Sequence, residues 1–411
     1  MPGKHTPTQH EVLGRRPTSR ARRAALATLG IATVAGALLT LYACNDGTGP
    51  SVVVNQEEGK RIFRFETFGD EKFWTDTLRM NEVVQTVDPA TALAVGLKVD
   101  ADTLPPEVLQ AIQAGKVDLK DPATTVALLK LGAVVGVKAT VDSAGKVTRF
   151  GVTCALCHST VDDRIAKGIG SRLDGWPNGD LNPGAIIALS PALTPEQKAV
   201  YNSWGPGKYD PRFNFDGRNG PVLIAPAYGL AGVHSITYTG DGSDVEYWNR
   251  YVAVTQMHGQ GSFSEPRLGI SIHQSPDLVA PKLAALQAYQ LSLQQPAPPP
   301  GSFDPAAAAR GKIVFDGVGK CSTCHSGPLL TDANERLHPP SDVVTEPTYA
   351  ERSATKLYRT TPLRALLRHA PYFHDGSAAT LEAVVERYNA AKGLDLTAQQ
   401  KADLVQYLRS L

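Results

Sequence analysis

Two short stretches of this chain carry the same five-residue pattern, and together they use four of its five cysteines. The first reads Cys154-Ala155-Leu156-Cys157-His158 and the second Cys321-Ser322-Thr323-Cys324-His325. C-x-x-C-H is the attachment pattern of c-type haem. Two thiols three positions apart on a tight helical turn reach the two vinyl groups of one porphyrin, and the next residue presents its imidazole to the iron. Other uses of paired cysteines fit less well. A zinc site built from two C-x-x-C pairs separates them by roughly 15–20 residues, whereas 163 residues lie between Cys157 and Cys321. A disulfide or a redox-active pair needs no histidine directly behind it, let alone twice. The chain is therefore expected to hold two covalent c-type haems. Cys154, Cys157, Cys321 and Cys324 would attach them, and His158 and His325 would ligate iron.

The fifth cysteine closes the tetrapeptide Leu41-Tyr42-Ala43-Cys44, which follows an uncharged apolar run, residues 24–41. Six bases and one acid precede that run. A positive flank, an apolar stretch and a small residue make a secretory signal, so residues 1–44 read as a lipoprotein-type signal with a lipid anchor at Cys44. An uncleaved anchor is the other reading of the same run. Both put the remainder in the periplasm or the outer cell envelope, where covalent haem attachment takes place. That remainder carries 35 bases and 39 acids, a net of −4, and lacks the basic field of a nucleic-acid binder. With 42% hydrophobic and 20% charged residues the chain can bury a sizeable core.

The surrounding pattern is mostly α, with two cytochrome c-like haem domains, a helical N-terminal insertion and long loops. Residues 303–411 form the C-terminal domain. Asp304-Pro305 caps a helix over residues 306–315 that leads into Cys321, and Thr397 starts a closing helix with Leu404, Val405, Leu408 and Leu411 on one stripe. Residues 296–302, with four prolines, are a stiff linker. Residues 45–295 make the N-terminal haem domain. Its opening helix lies near Glu57-Glu58-Gly59-Lys60-Arg61-Ile62-Phe63, and the segment from Asp277 to Leu293 places Leu283, Leu286, Tyr289 and Leu293 on one helical stripe. Between the opening helix and Cys154 lies an insertion, residues 65–150, with helices near 108–114 and 124–135 and a short hairpin over 137–147. No chemistry attaches to it.

Residues 359–388 contain Thr361-Pro362-Leu363-Arg364 and Pro371-Tyr372-Phe373-His374-Asp375-Gly376. This region resembles the C-terminal haem domain of bacterial dihaem cytochrome c peroxidases and their tryptophan-oxidising relatives. The resemblance implies two haems with unlike work: the C-terminal one receives electrons and the N-terminal one meets the oxidant. It implies a small cytochrome or cupredoxin as donor, peroxide or oxygen as oxidant, and a calcium ion between the haem domains, although no compact Asp/Asn loop identifies calcium ligands here. In the peroxidases a methionine fourteen residues beyond the motif histidine is the sixth ligand of the C-terminal haem. Tyr388 stands there in this chain, as a tyrosine does in the tryptophan-oxidising branch. A phenolate would stabilise ferric iron. The plainer reading of Tyr388 is a hydrogen-bonded core residue.

The first haem departs further from the family. Asp174, in Leu173-Asp174-Gly175-Trp176, stands where a distal histidine is found, and Gln256, before Met257, stands where a glutamate moves the proton in peroxide cleavage. An amide does not shuttle that proton. Tyr238 corresponds to the aromatic residue between the haems. The first iron is then open to a small molecule, or closed by His234 or His258. Three functions stay open: reduction of peroxide or oxygen, plain electron transfer, and oxygenation of an apolar substrate.

Overall fold

The computed structural model describes residues 55–411; the signal-type segment with Cys44 lies outside the described residues. The chain is mostly helical, 41% helix against 11% strand. Each cysteine pair lies between an opening and a closing helix that meet at a glycine. The helix Gln56–Phe65 starts at Asn55, whose side chain accepts the N–H groups of Glu57 and Glu58. A Cβ at Gly59 would stand 2.0 Å from the carbonyl oxygen of Ala285 and 2.7 Å from Cβ of Tyr289. Only glycine lets this helix lie against the backbone of Leu283–Ser292. One turn on, the Phe63 ring packs on Tyr289, centroids 5.6 Å apart.

The same contact recurs around the second pair. The helix Pro305–Asp316 is capped by Asp304 and crosses Ala398–Arg409, which begins in a reciprocal Thr397–Gln400 cap. A Cβ at Gly311 would stand 2.0 Å from the Asp403 carbonyl oxygen and 2.9 Å from Cβ of Tyr407. Phe315, one turn after Gly311, packs on Tyr407 at 5.1 Å. Glycine and phenylalanine on one helix meet a carbonyl and, four residues later, a tyrosine on the other. The two crossings are copies of one packing solution.

The insertion is a set of short elements. Proline-started helices Pro89–Ala94 and Pro122–Lys130 are capped by Asp88 and Asp121, and Pro106–Gln113 lies between them. The last of these stops short of residue 135 because Gly132 takes a left-handed turn, φ +67°. The chain then enters the antiparallel hairpin Val137–Val141 and Val147–Val152, which delivers it to Cys154. The 11% of strand is spread over five two-stranded pairs. Among the described residues no helix is long and apolar enough to cross a membrane.

One carboxyl is built into the floor of this hairpin. Asp70 is fully buried, accepts the Val152 N–H at 3.2 Å, and sits beside Gly151, where a Cβ would lie 2.4 Å from its Oδ1. Burial pushes its pKa up to about 9, and Glu71 and Glu66 add to the rise. The folded state thus prefers the protonated acid, and its stabilising effect, complete below the ordinary value near 4, fades as pH rises toward about 9. Asp70→Asn should remove that dependence. Relative to the wild type, the variant should gain stability by up to about 1.4 kcal/mol per pH unit between about pH 5 and about pH 8. Urea midpoints at the two pH values check this, and parallel pH profiles would contradict it.

Candidate functional site

Thr153 ends the hairpin by donating its N–H to Gly136 and its hydroxyl to the Arg64 carbonyl. That fixes the start of the single helical turn Ala155–His158, which places both thiols and the imidazole at the wall of one apolar cavity. His158 Nδ1 lies 3.1 Å from the Ala225 carbonyl oxygen. A carbonyl only accepts, so Nδ1 carries the proton and Nε2 keeps its lone pair. The second pair repeats the arrangement in a second cavity. The turn Cys321–Thr323 leads to His325, whose Nδ1 donates to the Leu330 carbonyl at 3.2 Å.

Burial holds these groups neutral. It pulls both imidazoles down to about 4 against the opposing pull of their carbonyl partners. It pushes the Cys154 and Cys157 thiols up to about 12 and the Cys321 thiol to about 11. All four cysteines are free. Neutral imidazoles with a lone pair free at Nε2, each beside two unpaired thiols and a largely apolar cavity, form a donor set that fits covalent haem.

The cavities share a wall. Leu223, Ile224, Ala225 and Pro226 line both, as do Tyr238 and Arg359. The Ala225 carbonyl accepts the His158 Nδ1–H, while the Leu223 N–H donates to the His374 carbonyl at 2.7 Å. Tyr238 donates its hydroxyl to the Leu223 carbonyl at 3.3 Å, and burial raises its pKa. Its ring centroid is 6.1 Å from that of His374.

Around the first cavity, Gln256 is fully engaged. Its Oε1 accepts the Tyr209 hydroxyl at 2.7 Å, and its Nε2 donates to the Pro211 carbonyl at 2.6 Å. Gln256 and Tyr209 both line the cavity, so the amide fixes a phenol there. Among the described residues His158 is the only histidine on this wall. His258 is stacked on Phe73 at 3.7 Å with its Nε2 toward Asn214, and His234 is exposed. Asp174 is turned away into the helix seam, bonded by Arg64, Ser159 and Tyr289. The insertion supplies much of the apolar wall, including Met80, Val83, Val84, Leu93, Leu128 and Leu129.

Tyr388 lines the second cavity and reaches the Val343 carbonyl only at 3.4 Å. Burial pushes its phenol up to about 12, with Cys321 and Cys324 adding to the rise. His369 and His374 also line this cavity. His374 is spoken for: Nε2 donates to Glu346 at 2.7 Å and Nδ1 faces the Thr345 hydroxyl at 3.1 Å. Cys324, Asp332 and His338 bring one ligand atom each within 4.8 Å of one another, the only such trio among the described residues. Asp332 is already paired to His338 and Arg336. Tyr209 carries no motif, and neither do Arg212, which pairs with Asp241 and lies over the Tyr349 ring, and Arg352, which is bonded to Asp210 and Asp216, so pattern reading passes over them.

No protein-family model matches the chain. Among curated proteins it is similar to cytochrome-c peroxidase IdrP1 of Denitromonas iodatirespirans, 30% identical over 151 residues, covering 26% of this chain and 40% of the relative. It is similar also to the methylamine utilization protein MauG of Methylorubrum extorquens, 30% identical over 131 residues, covering 26% of this chain and 35% of the relative. The matches thus span well under half the length of these relatives. A solved MauG-like protein associated with microbial copper homeostasis is 23% identical, with a TM-score of 0.32 over 47% of this chain and 74% of that one. The curated relatives support the resemblance to the dihaem cytochrome c peroxidase superfamily.

Proposed function

We propose that this chain is an exported dihaem c-type cytochrome oxidoreductase of the peroxidase type, anchored through Cys44. Residues 45–295 and 303–411 are its two haem domains and 296–302 their linker. The observation that carries this reading is the repeated site: two Cys-Cys-His sets with Nδ1 held on a backbone carbonyl, in two cavities with a common wall. The repeated glycine–tyrosine helix crossing supports two related domains. When bound, the haems would supply one-electron chemistry between a small cytochrome or cupredoxin as donor and peroxide or oxygen as oxidant.

The protein's own residues set the conditions. His158 and His325 would hold the irons, and Tyr388, on the wall of the second cavity, would be a further ligand there. Tyr238 stands between the sites as the aromatic bridge, and Gln256 orients Tyr209 at the first. The insertion keeps water from the first cavity with an apolar wall. Calcium enters this reading only as a family expectation.

The test is a redox titration followed by absorbance and electron paramagnetic resonance, with and without peroxide. With Tyr209 held by Gln256 and His158 the only histidine on the first wall among the described residues, a ferric high-spin signal is expected from the first haem. Two purely low-spin haems would overturn an open first site. They would favour the second reading, a carrier without turnover, to which one observation already speaks: Gln256 has no free polar atom and no acid lines the first cavity among the described residues.

A further inference from the structure

Among the described residues Arg359 is the one charged side chain that faces both cavities. It sits where Arg359-Thr360-Thr361-Pro362 runs past Tyr238, with its backbone N–H on the Tyr238 carbonyl at 3.0 Å. Its Nε and Nη1 are buried and have no hydrogen-bond partner. It forms no ion pair among the described residues, and its pKa is pulled down to about 10 by burial with only the Tyr238 phenol opposing. A buried guanidinium is strongly disfavoured without an anion beside it, so its free Nε and Nη1 point to an anionic partner.

The charges lining the cavities point to what is missing. Among the described residues the first is lined by Lys98 and Arg359 and by no acid, and Lys98 is already paired with Asp180. The second is lined by Lys320, Arg336, Arg359, Arg364 and Lys392 against Asp342 alone among the described residues. Arg364 also lacks an ion-pair partner among the described residues, and burial lowers its pKa with no compensating charge. Guanidinium groups bind carboxylates in a planar, two-pronged fashion. The groups expected in these cavities carry carboxylates of their own: each haem has two propionates.

We propose that Arg359 is a carboxylate-binding residue shared by the two haem sites, taking one propionate from each cavity, while Arg364 serves the second cavity alone. This rests on the two-haem reading above. Shared in this way, one fixed positive charge favours the reduced, less positive state of both irons and raises both potentials.

The experiment is spectroelectrochemistry on the full chain carrying both haems, with haem stain and intact mass confirming occupancy. Arg359→Gln should move both midpoint potentials downward, and Arg364→Gln only that of the second haem. If Arg359→Gln moves one potential or neither, the shared site is wrong. Should that variant fail to accumulate, Arg359→Lys is read in the same way and should lower both potentials by less. Independently, redox-difference infrared spectra of the wild type with carboxyl-labelled haem should show an ionised propionate on each haem, and fully protonated propionates on either would overturn the assignment. Missing haem in the wild type defeats the functional reading instead, so the two failures are distinct.

Discussion

Exchange of Cys321 and Cys324 for alanine is expected to halve the covalent haem content while leaving the first haem in place. Each cysteine pair faces its own cavity, and neither pair lines the other's. The two attachments are thus separate events on one chain. The second cavity would lose the group that fills it, and its apolar lining, Leu366, Leu381, Val385, Leu404 and Leu408, would face a void or water. Emptying a well-packed apolar site destabilises in proportion to the volume left behind, so unfolding of this region should begin at lower denaturant. Exchange of Cys154 and Cys157 should give the mirror result, keeping the signals that depend on Tyr388. Ser322→Ala, between the second pair, should change neither haem count. Haem stain, intact mass and absorbance read all three. A Cys321/Cys324 variant that still carried two covalent haems would remove the basis of the assignment, and so would a wild type that carried none.

The site was legible where chemistry demands a fixed spacing. Two thiols and an imidazole must lie on one turn to grip a porphyrin, so the two pentapeptides name themselves. The closing helix after Thr397 was equally readable, because its cap and its leucine stripe are local properties. The pairing of opening and closing helices was not. Gly59-Lys60-Arg61-Ile62-Phe63 and Gly311-Lys312-Ile313-Val314-Phe315 share glycine, lysine and phenylalanine at matching places, yet a glycine in a helix reads locally as a weakness. Its use appears only when Ala285 and Asp403 arrive from far along the chain. The insertion gave no chemical signal for a related reason. Its work is to present Val, Leu and Met to one cavity, and such residues look the same whether they wall a cofactor or fill a core. Asp174 and Gln256 were singled out by family position. Tertiary partners decide their surroundings: Arg64 and Tyr289 hold the first, and Tyr209 and Pro211 the second.

The largest stability change should come from a residue with no part in haem binding. Arg352, nearly fully buried, spans the junction between residues 210–220 and the stretch that precedes Arg359. Its Nη2 and Nη1 donate to Asp210 at 3.0 and 3.1 Å, its Nε to Asp216 at 2.6 Å, and the carbonyls of Arg218 and Gly220 complete the set. Beside it Arg212 pairs with Asp241 and lies over the Tyr349 ring at 4.3 Å. Arg352→Met keeps much of the side-chain volume but leaves Asp210, whose side chain has no exposure, without its counter-charge. Breaking a buried pair in this one-sided way costs about 3–5 kcal/mol. The exposed Arg61–Glu58 pair is the control, since Arg61→Met should cost under about 1 kcal/mol. Adding Asp210→Asn to Arg352→Met should recover part of the loss, because the stranded charge is then gone. Asp210 also accepts the Gly220 N–H at 2.7 Å, just before the shared wall at Leu223. Loosening this junction should therefore disturb both haem spectra before global unfolding. Urea unfolding followed in parallel by absorbance and far-ultraviolet circular dichroism reads both effects, and a loss no greater than that of the Arg61 control would show that the junction is held by packing rather than by these ions.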